Sequence, residues 1–161
     1  MNVAVLMGSE CDWPILKPAV ELLKQFGIAA EVEVASAHRT PAKVRDFVLA
    51  APGKGVGAFI VAAGAAAHLA GVVASYTTLP VIGVPINATA LNGMDALLST
   101  VQMPSGIPVA TMAINGAKNA AIFAAQIFAV SDKELAKKLA DYRGEMVEGV
   151  EKKAARVKAQ L

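Results

Sequence analysis

Between Lys54 and Lys118 the chain carries a single Asp, Glu, Lys or Arg, namely Asp95. So long a stretch with so little charge can go into a membrane, into a protein core, or against another subunit. A membrane helix needs about 20 consecutive apolar residues. Here Pro80, Pro85, Pro104 and Pro108 cut the stretch into shorter pieces, and Gly and Ala dominate what remains. Short apolar runs bounded by Gly and Pro read as buried strands. The chain is 55% hydrophobic and 17% charged over 161 residues, a length that suits one domain. One small domain has too little interior to hide that much uncharged surface, so several subunits are expected to cover it between them.

The apolar runs alternate with helical patterns from end to end. Residues 2–7 read as a first strand, followed by the turn Gly8-Ser9-Glu10-Cys11-Asp12. A helix is expected over 12–26, with Asp12 as N-cap, Pro14 in its first turn, Pro18 tightening or kinking it, and Gly27 ending it. Residues 28–35 read as strand two and 41–51 as a helix. Strand three is expected at 57–62, a helix at 66–76, strand four at 80–84 and a helix at 93–101. Strand five is expected at 108–114 and a helix at 117–130. Ser131-Asp132-Lys133-Glu134 is a capping-box pattern opening a last helix, with Leu135, Leu139, Tyr142, Met146, Val150, Ala154 and Val157 as its stripe.

Strands that alternate with helices predict an α/β fold: three layers, α/β/α, around a parallel five-stranded sheet in the flavodoxin-like order 2-1-3-4-5, with a long C-terminal helix. The whole of 1–161 reads as one domain. Residues 1–130 form the α/β core, and 131–161 pack on that core or on a neighbouring subunit. Ligands in such sheets bind beyond the carboxyl ends of the strands, near the switch point between strands one and three.

Charge and cysteine usage narrow the function. A net charge of +2 is too small for a nucleic-acid footprint, and the basic residues of the last helix are mixed with acids. One cysteine excludes an internal disulfide and suits a reducing cytoplasm. Two histidines and one cysteine without paired spacing make no zinc site. Met1-Asn2-Val3-Ala4-Val5 lacks a basic leader and reads as a strand rather than a signal peptide. No nucleic-acid or membrane partner is expected.

Three loops that would meet at the switch point carry the chemistry. Gly8-Ser9-Glu10-Cys11-Asp12 offers helix-start N–H groups and a hydroxyl to an anion, and Asp12 a carboxylate to a ribose hydroxyl. It lacks a Walker lysine and G-x-G-x-x-G, and read structurally it is a tight turn. Ser36-Ala37-His38-Arg39-Thr40-Pro41 sets a proton-transfer group beside a guanidinium that grips anions through paired hydrogen bonds. The plainer reading is a surface loop in which Thr40 caps a helix and Pro41 starts it. Ala63-Gly64-Ala65-Ala66-Ala67-His68-Leu69 brings small residues and the second histidine. These either let backbone approach a ligand or let helices pack, with His68 as a hydrogen-bonded packing residue. Cys11 is a bystander thiol or a nucleophile, Asn119 a cap or a ligand contact, and Gln102-Met103-Pro104 a connection or a cover over a pocket. A flavin site is discounted because Ser9 is the only hydroxyl in the first loop.

Taken together, Gly8-Ser9-x-x-Asp12, Ser36-Ala37-His38-Arg39-Thr40-Pro41, Ala66-Ala67-His68-Leu69, Leu79-Pro80-Val81-Ile82-Gly83-Val84-Pro85 and Gln102-Met103-Pro104 resemble, in order and spacing, the class I PurE family of N5-carboxyaminoimidazole ribonucleotide mutases. The resemblance covers about residues 2–130. It implies a flavodoxin-like subunit in a homo-octamer with sites at subunit junctions, in the cytoplasm. The implied activity is isomerisation of the N5-carboxy ribonucleotide to the 4-carboxy isomer without metal or nucleotide cofactor. His38 then matches the general acid and base. Ser9, Asp12, Ser36, Arg39, Gly64, Ala66, His68 and Leu69 are implied to bind the substrate, with Arg39 on its phosphate. The related direct carboxylase has Lys after this histidine, so Arg39 favours the mutase. A non-catalytic nucleotide-binding homologue is the third reading. The family usually has Ser at position 11, Gly at 62 and 65, and Pro at 70; here Cys11, Ala62, Ala65 and Ala70 stand instead. The added methyl groups either clash with a ligand or shift the loop.

Overall fold

The computed structural model describes residues 1–160. Strands β1 (Asn2–Met7), β2 (Ala29–Val34), β3 (Val56–Gly64), β4 (Val81–Ile86) and β5 (Ala110–Thr111) form one sheet in the order β2-β1-β3-β4-β5, every pair parallel. The helices are α1 (Trp13–Phe26), α2 (Pro41–Ala50), α3 (Leu69–Tyr76), α4 (Met94–Val101), α5 (Ala117–Ala129) and α6 (Lys133–Lys158). The three-layer expectation and its strand order hold.

Alternation along the strands divides the interior into two cores. Val3, Val5, Ala58 and Ile60 face one side and pack on Leu16 and Leu23 of α1 and the alanines of α5. Ala4, Leu6, Phe59 and Val61 face the other and pack on Val44 and Val48 of α2 and Val73 of α3. The alanine-rich face of α5 lets it lie close to the sheet, with Ala120, Ala121, Ala124 and Ala125 fully buried. The first turns of α6 dock on the same side. Tyr142 meets Phe26 edge to face at 5.6 Å, and Lys138 Nζ donates to the Phe26 carbonyl at the end of α1. Beyond Tyr142 the stripe of α6 is uncovered, with Met146, Val147, Val150 and Val157 exposed.

Several local expectations are corrected. Strand five keeps only two residues, because its ladder with β4 holds Ala110 and Thr111 opposite Ile82 and Gly83 and then gives way to single bonds. Strand three runs two residues further, to Gly64, and α3 starts only at Leu69, because the loop 65–68 turns through a left-handed Ala65 with φ of 55°. Asp12 does not cap α1, since its carboxylate accepts from Ser9 N instead. Thr40 does not cap α2 with its side chain. The last helix is capped by Asp132, which accepts from Leu135 N, rather than by Ser131.

Candidate functional site

The carboxyl ends of β1, β2 and β3 open onto a cavity of about 400 Å³, and the loop after β4 closes its side. It lies at the crevice where crossovers leave the sheet to opposite faces. A larger cavity of about 500 Å³ lies among Leu79, Ile107 and Phe123, but no titratable side chain lines it. Another of about 490 Å³ beside Trp13 and Val34 has only Glu10, so the first gathers the most side chains able to do chemistry.

The loop after β1 is held by reciprocal bonds. Ser9 N donates to Asp12 Oδ2 at 3.2 Å while Ser9 Oγ accepts from Cys11 N at 3.3 Å. This satisfies N–H groups that a helix start leaves free. Gly8 N donates to the Ala62 carbonyl, which fastens the loop to β3. Asp12 is only 6% exposed. Desolvation pushes its carboxyl above the usual value, against the opposing pull of the Ser9 and Gly8 N–H groups.

The turn after β2 is closed on itself. Ser36 N donates to Thr40 Oγ1 at 2.9 Å, Thr40 N to the Ser36 carbonyl at 2.9 Å, and Arg39 N to Ser36 Oγ at 3.2 Å. So the Thr40 hydroxyl, expected as a helix cap, instead shapes the turn that presents His38 and Arg39. The Arg39 guanidinium also crosses to the first loop, where Nη2 donates to the Gly8 carbonyl at 3.2 Å. It makes no ion pair among the described residues, so its charge faces the cavity uncompensated.

The loop after β3 brings the second histidine to the first. His38 Nε2 and His68 Nδ1 are 2.8 Å apart, with the rings nearly perpendicular at 80°. His68 is seated by the bond from Ala67 N to Ser99 Oγ of α4 and by its own N–H on the Ala66 carbonyl.

Of the expected residues, Ser9, Asp12, Ser36, His38, Arg39, Gly64 and Leu69 line the cavity together. Ala66 and His68 are outside its lining; His68 reaches it only through His38. Cys11, read as a bystander or a nucleophile, is an exposed free thiol in the lining. Ala88 of the loop after β4 also lines it and was missed. An alanine carries no chemical signal, and only the neighbouring position of strands three and four points to that loop. Met103 lies against Gly71 of α3 and does not cover the cavity of its own chain. Asn119 borders a separate depression beside Pro14 and Pro18. No described helix is long and apolar enough to cross a membrane.

Residues 2–149 match the family model described as AIR carboxylase. The chain is 50% identical over 155 residues to an N5-carboxyaminoimidazole ribonucleotide mutase of Pyrococcus horikoshii, covering 96% of this chain and 88% of that one. It is 55% identical over 145 residues to a mutase of the same name from Saccharolobus solfataricus, covering 90% and 92%. Among solved structures it is similar to Treponema denticola PurE, with a TM-score of 0.85, 29% identity, and 96% and 97% of the two chains covered.

Proposed function

The chain belongs to the AIR carboxylase family, and on that footing we propose that it is an N5-carboxyaminoimidazole ribonucleotide mutase of purine biosynthesis whose general acid and base is His38. The observation that carries the residue assignment is the shared cavity. It joins a proton-transfer ring, an uncompensated guanidinium, a buried carboxylate and a hydroxyl within one crevice. A ribonucleotide presents the matching groups: a phosphate for Arg39 and Ser9, ribose hydroxyls for Asp12, and a heterocycle for His38.

The reaction needs only proton transfer and containment. Charged His38 gives a proton to the exocyclic nitrogen of the carbamate. The bond between that nitrogen and the carboxyl carbon then breaks, its electron pair stays on nitrogen, and CO2 is set free. C4 of the aminoimidazole attacks the CO2 carbon, and His38, now neutral, takes the C4 proton. Its starting charge is restored. Ala37, Ala63 and Ala65 give the crevice a small apolar lining suited to the released CO2. Phosphate contacts by Arg39 hold the substrate through both steps.

The mutase is favoured over the direct carboxylase by Arg39 at the position after His38 and by the mutase names of relatives at about half identity. Assembly as a homo-octamer in the cytoplasm is part of the same proposal. Leu91, Met94, Leu98 and Val101 form a half-exposed apolar row on and beside α4, within the uncharged stretch, and support burial between subunits. In such an assembly the Gln102-Met103-Pro104 loop is free to border a neighbour's cavity. Sedimentation of the purified protein as a monomer at micromolar concentration would overturn the assembly.

The central test is His38→Asn. The variant is expected to bind the ribonucleotide and to lose roughly 10²–10⁴-fold in isomerisation, the usual worth of a positioned acid–base group. Turnover close to that of the unmodified enzyme would remove His38 from the chemistry.

A further inference from the structure

We infer that Ser99 and Asp95 of α4 are positioning residues, which hold the wall of the ribonucleotide cavity formed by the loops after β3 and β4. The inference rests on the proposal above that the ribonucleotide occupies that cavity.

The helix divides its tasks by face. Successive residues are turned by about 100° around a helix, so positions four apart share a stripe. Ala96 and Thr100 form the buried stripe of α4, and Thr100 stands where a Cβ on Gly83 of β4 would go. Met94 and Leu98 form a half-exposed stripe. Asp95 and Ser99 lie between the two, and each bonds to a different loop of the site. Ser99 Oγ accepts from Ala67 N at 2.9 Å and donates to the Asp95 carbonyl at 2.8 Å. Asp95 Oδ2 accepts from Thr89 Oγ1 at 2.7 Å, and Thr89 Oγ1 accepts in turn from Leu91 N at 3.2 Å. Among the described residues Asp95 makes no ion pair, and its other oxygen is buried with no partner, so its one side-chain bond is to Thr89.

Both loops need such holding. Gly64, Ala65 and Leu69 line the cavity on one side of their junction and Ala88 on the other. They abut so closely that a Cβ on Gly64 would lie 2.6 Å from Ala88 Cβ, and a shift of either loop reaches its neighbour. Ala65 is left-handed with φ of 55°, which a residue with a Cβ keeps only where its surroundings enforce it. Two residues on, Ala67 is buried, and Ser99 is the partner of its N–H. Without the hydroxyl that N–H is left unpaired, and the loop gains conformations that turn it to water. Affinity for the ribonucleotide then falls with the fraction of molecules whose loop is in place. Turnover of bound substrate does not, because binding restores the wall. The signature of both residues is therefore a raised KM at constant kcat.

The test measures steady-state isomerisation and equilibrium binding of the 4-carboxy ribonucleotide, well below the unfolding temperature of each variant. Ser99→Ala is expected to raise KM and weaken binding about 2–10-fold, the worth of one hydrogen bond, with kcat kept. Ser99→Thr keeps the hydroxyl and should restore KM. Thr89→Val should also raise KM, through the loop that carries Ala88. Thr100→Val is the control. Its hydroxyl donates to the Ala96 carbonyl of its own helix at 2.7 Å, and losing that bond should leave KM unchanged. A bond that serves stability alone would lower Tm in Ser99→Ala and leave KM of the folded enzyme where it was, which would overturn the inference. So would a Thr variant no better than Ala, or a Thr100→Val variant that matches Ser99→Ala. Sedimentation should show Ser99→Ala assembled like the parent; dissociation would assign the effect to assembly and remove the positioning role. In ligand-free protein, hydrogen–deuterium exchange across residues 64–69 should quicken in Ser99→Ala and not in Thr100→Val, and unchanged exchange in Ser99→Ala would also overturn the inference. That readout separates the two readings. If the parent does not bind the ribonucleotide, the functional reading falls, and exchange alone decides whether Ser99 holds the loop.

Discussion

Replacing Gly64 by alanine puts a methyl group where the site has no room for one. The new Cβ would lie 2.6 Å from Ala88 Cβ and 3.4 Å from the Ile86 carbonyl oxygen. Carbon atoms in contact rest about 3.5–4.0 Å apart, so the two methyls must separate by about 1 Å. The sheet resists this, because Gly64 is laddered opposite Ile86 at the end of β3 and β4. The exposed loop that carries Ala88 must move instead. Forcing an extra methyl into a packed position costs about 1–3 kcal/mol. For a chain of this length that lowers Tm by roughly 2–12 °C. Thermal unfolding followed by circular dichroism, at one protein concentration so that assembly does not contribute, measures it. Turnover should fall as well, since Gly64 and Ala88 both line the cavity. The companion variant Gly64→Ala with Ala88→Gly removes the partner methyl. It should regain most of the lost Tm, short by about 0.5–1 kcal/mol for the added freedom of a loop glycine. If the single variant unfolds with the parent, or the double variant is no better than the single, the steric account fails.

Two further perturbations probe the buried carboxyls. The Asp12 carboxyl sits above its usual value of 3.8, chiefly through desolvation, so the folded chain holds its proton at pH values where the unfolded chain has lost it. Its contribution to stability therefore declines as pH rises from the unfolded value through the raised folded one, and stays low at neutral pH. Asp12→Asn should flatten that decline in urea denaturation series while weakening ribonucleotide binding; an unchanged slope would show that Asp12 does not carry it. Thr89 Oγ1 donates to Asp95 Oδ2 at 2.7 Å, and Asp95 Oδ1 is buried with no partner. Thr89→Val leaves both oxygens without one and should cost about 1–3 kcal/mol in chemical denaturation, with Thr89→Ser restoring it.

The fold was legible because its strands are short apolar runs between turn residues, and because alternation fills both cores without conflict. What was missed is what depends on partners in space. The run at 108–114 has strand composition, but at the sheet edge only Ala110 and Thr111 keep ladder register with β4. Two misses are local instead: Thr40 and Asp12 have the right side chains for caps, yet each accepts from a backbone N–H earlier in its own turn, Ser36 N and Ser9 N. In the site, His38, Arg39, Ser9 and Asp12 stood out because their groups have few other uses in such a chain. The contact between His38 and His68 did not, since it joins residues 30 positions apart on loops that meet only through parallel crossovers. Ala88 left no trace because a methyl group is informative only once its neighbours are known.

Among the described residues, Arg39 is the side chain whose hydrogen bond ties the loop after β2 to the loop after β1. The loop with Ser9 and Asp12 runs into α1, which belongs to the core shared with α5 and α6. The loop with His38 runs into α2, and that with His68 into α3, both rooted in the opposite core. Of the groups proposed to hold the ribonucleotide, Ser9 and Asp12 are thus anchored in one layer, while Arg39 and the proposed acid–base group His38 are anchored in the other, with the sheet between them. Arg39 is rooted in the second layer and reaches back to the Gly8 carbonyl of the first. A packing change behind α1 should register mainly as altered KM, and one behind α2 as altered KM and kcat together. Loss of the Arg39 clasp should disturb both, because it would let the two layers set their distance independently.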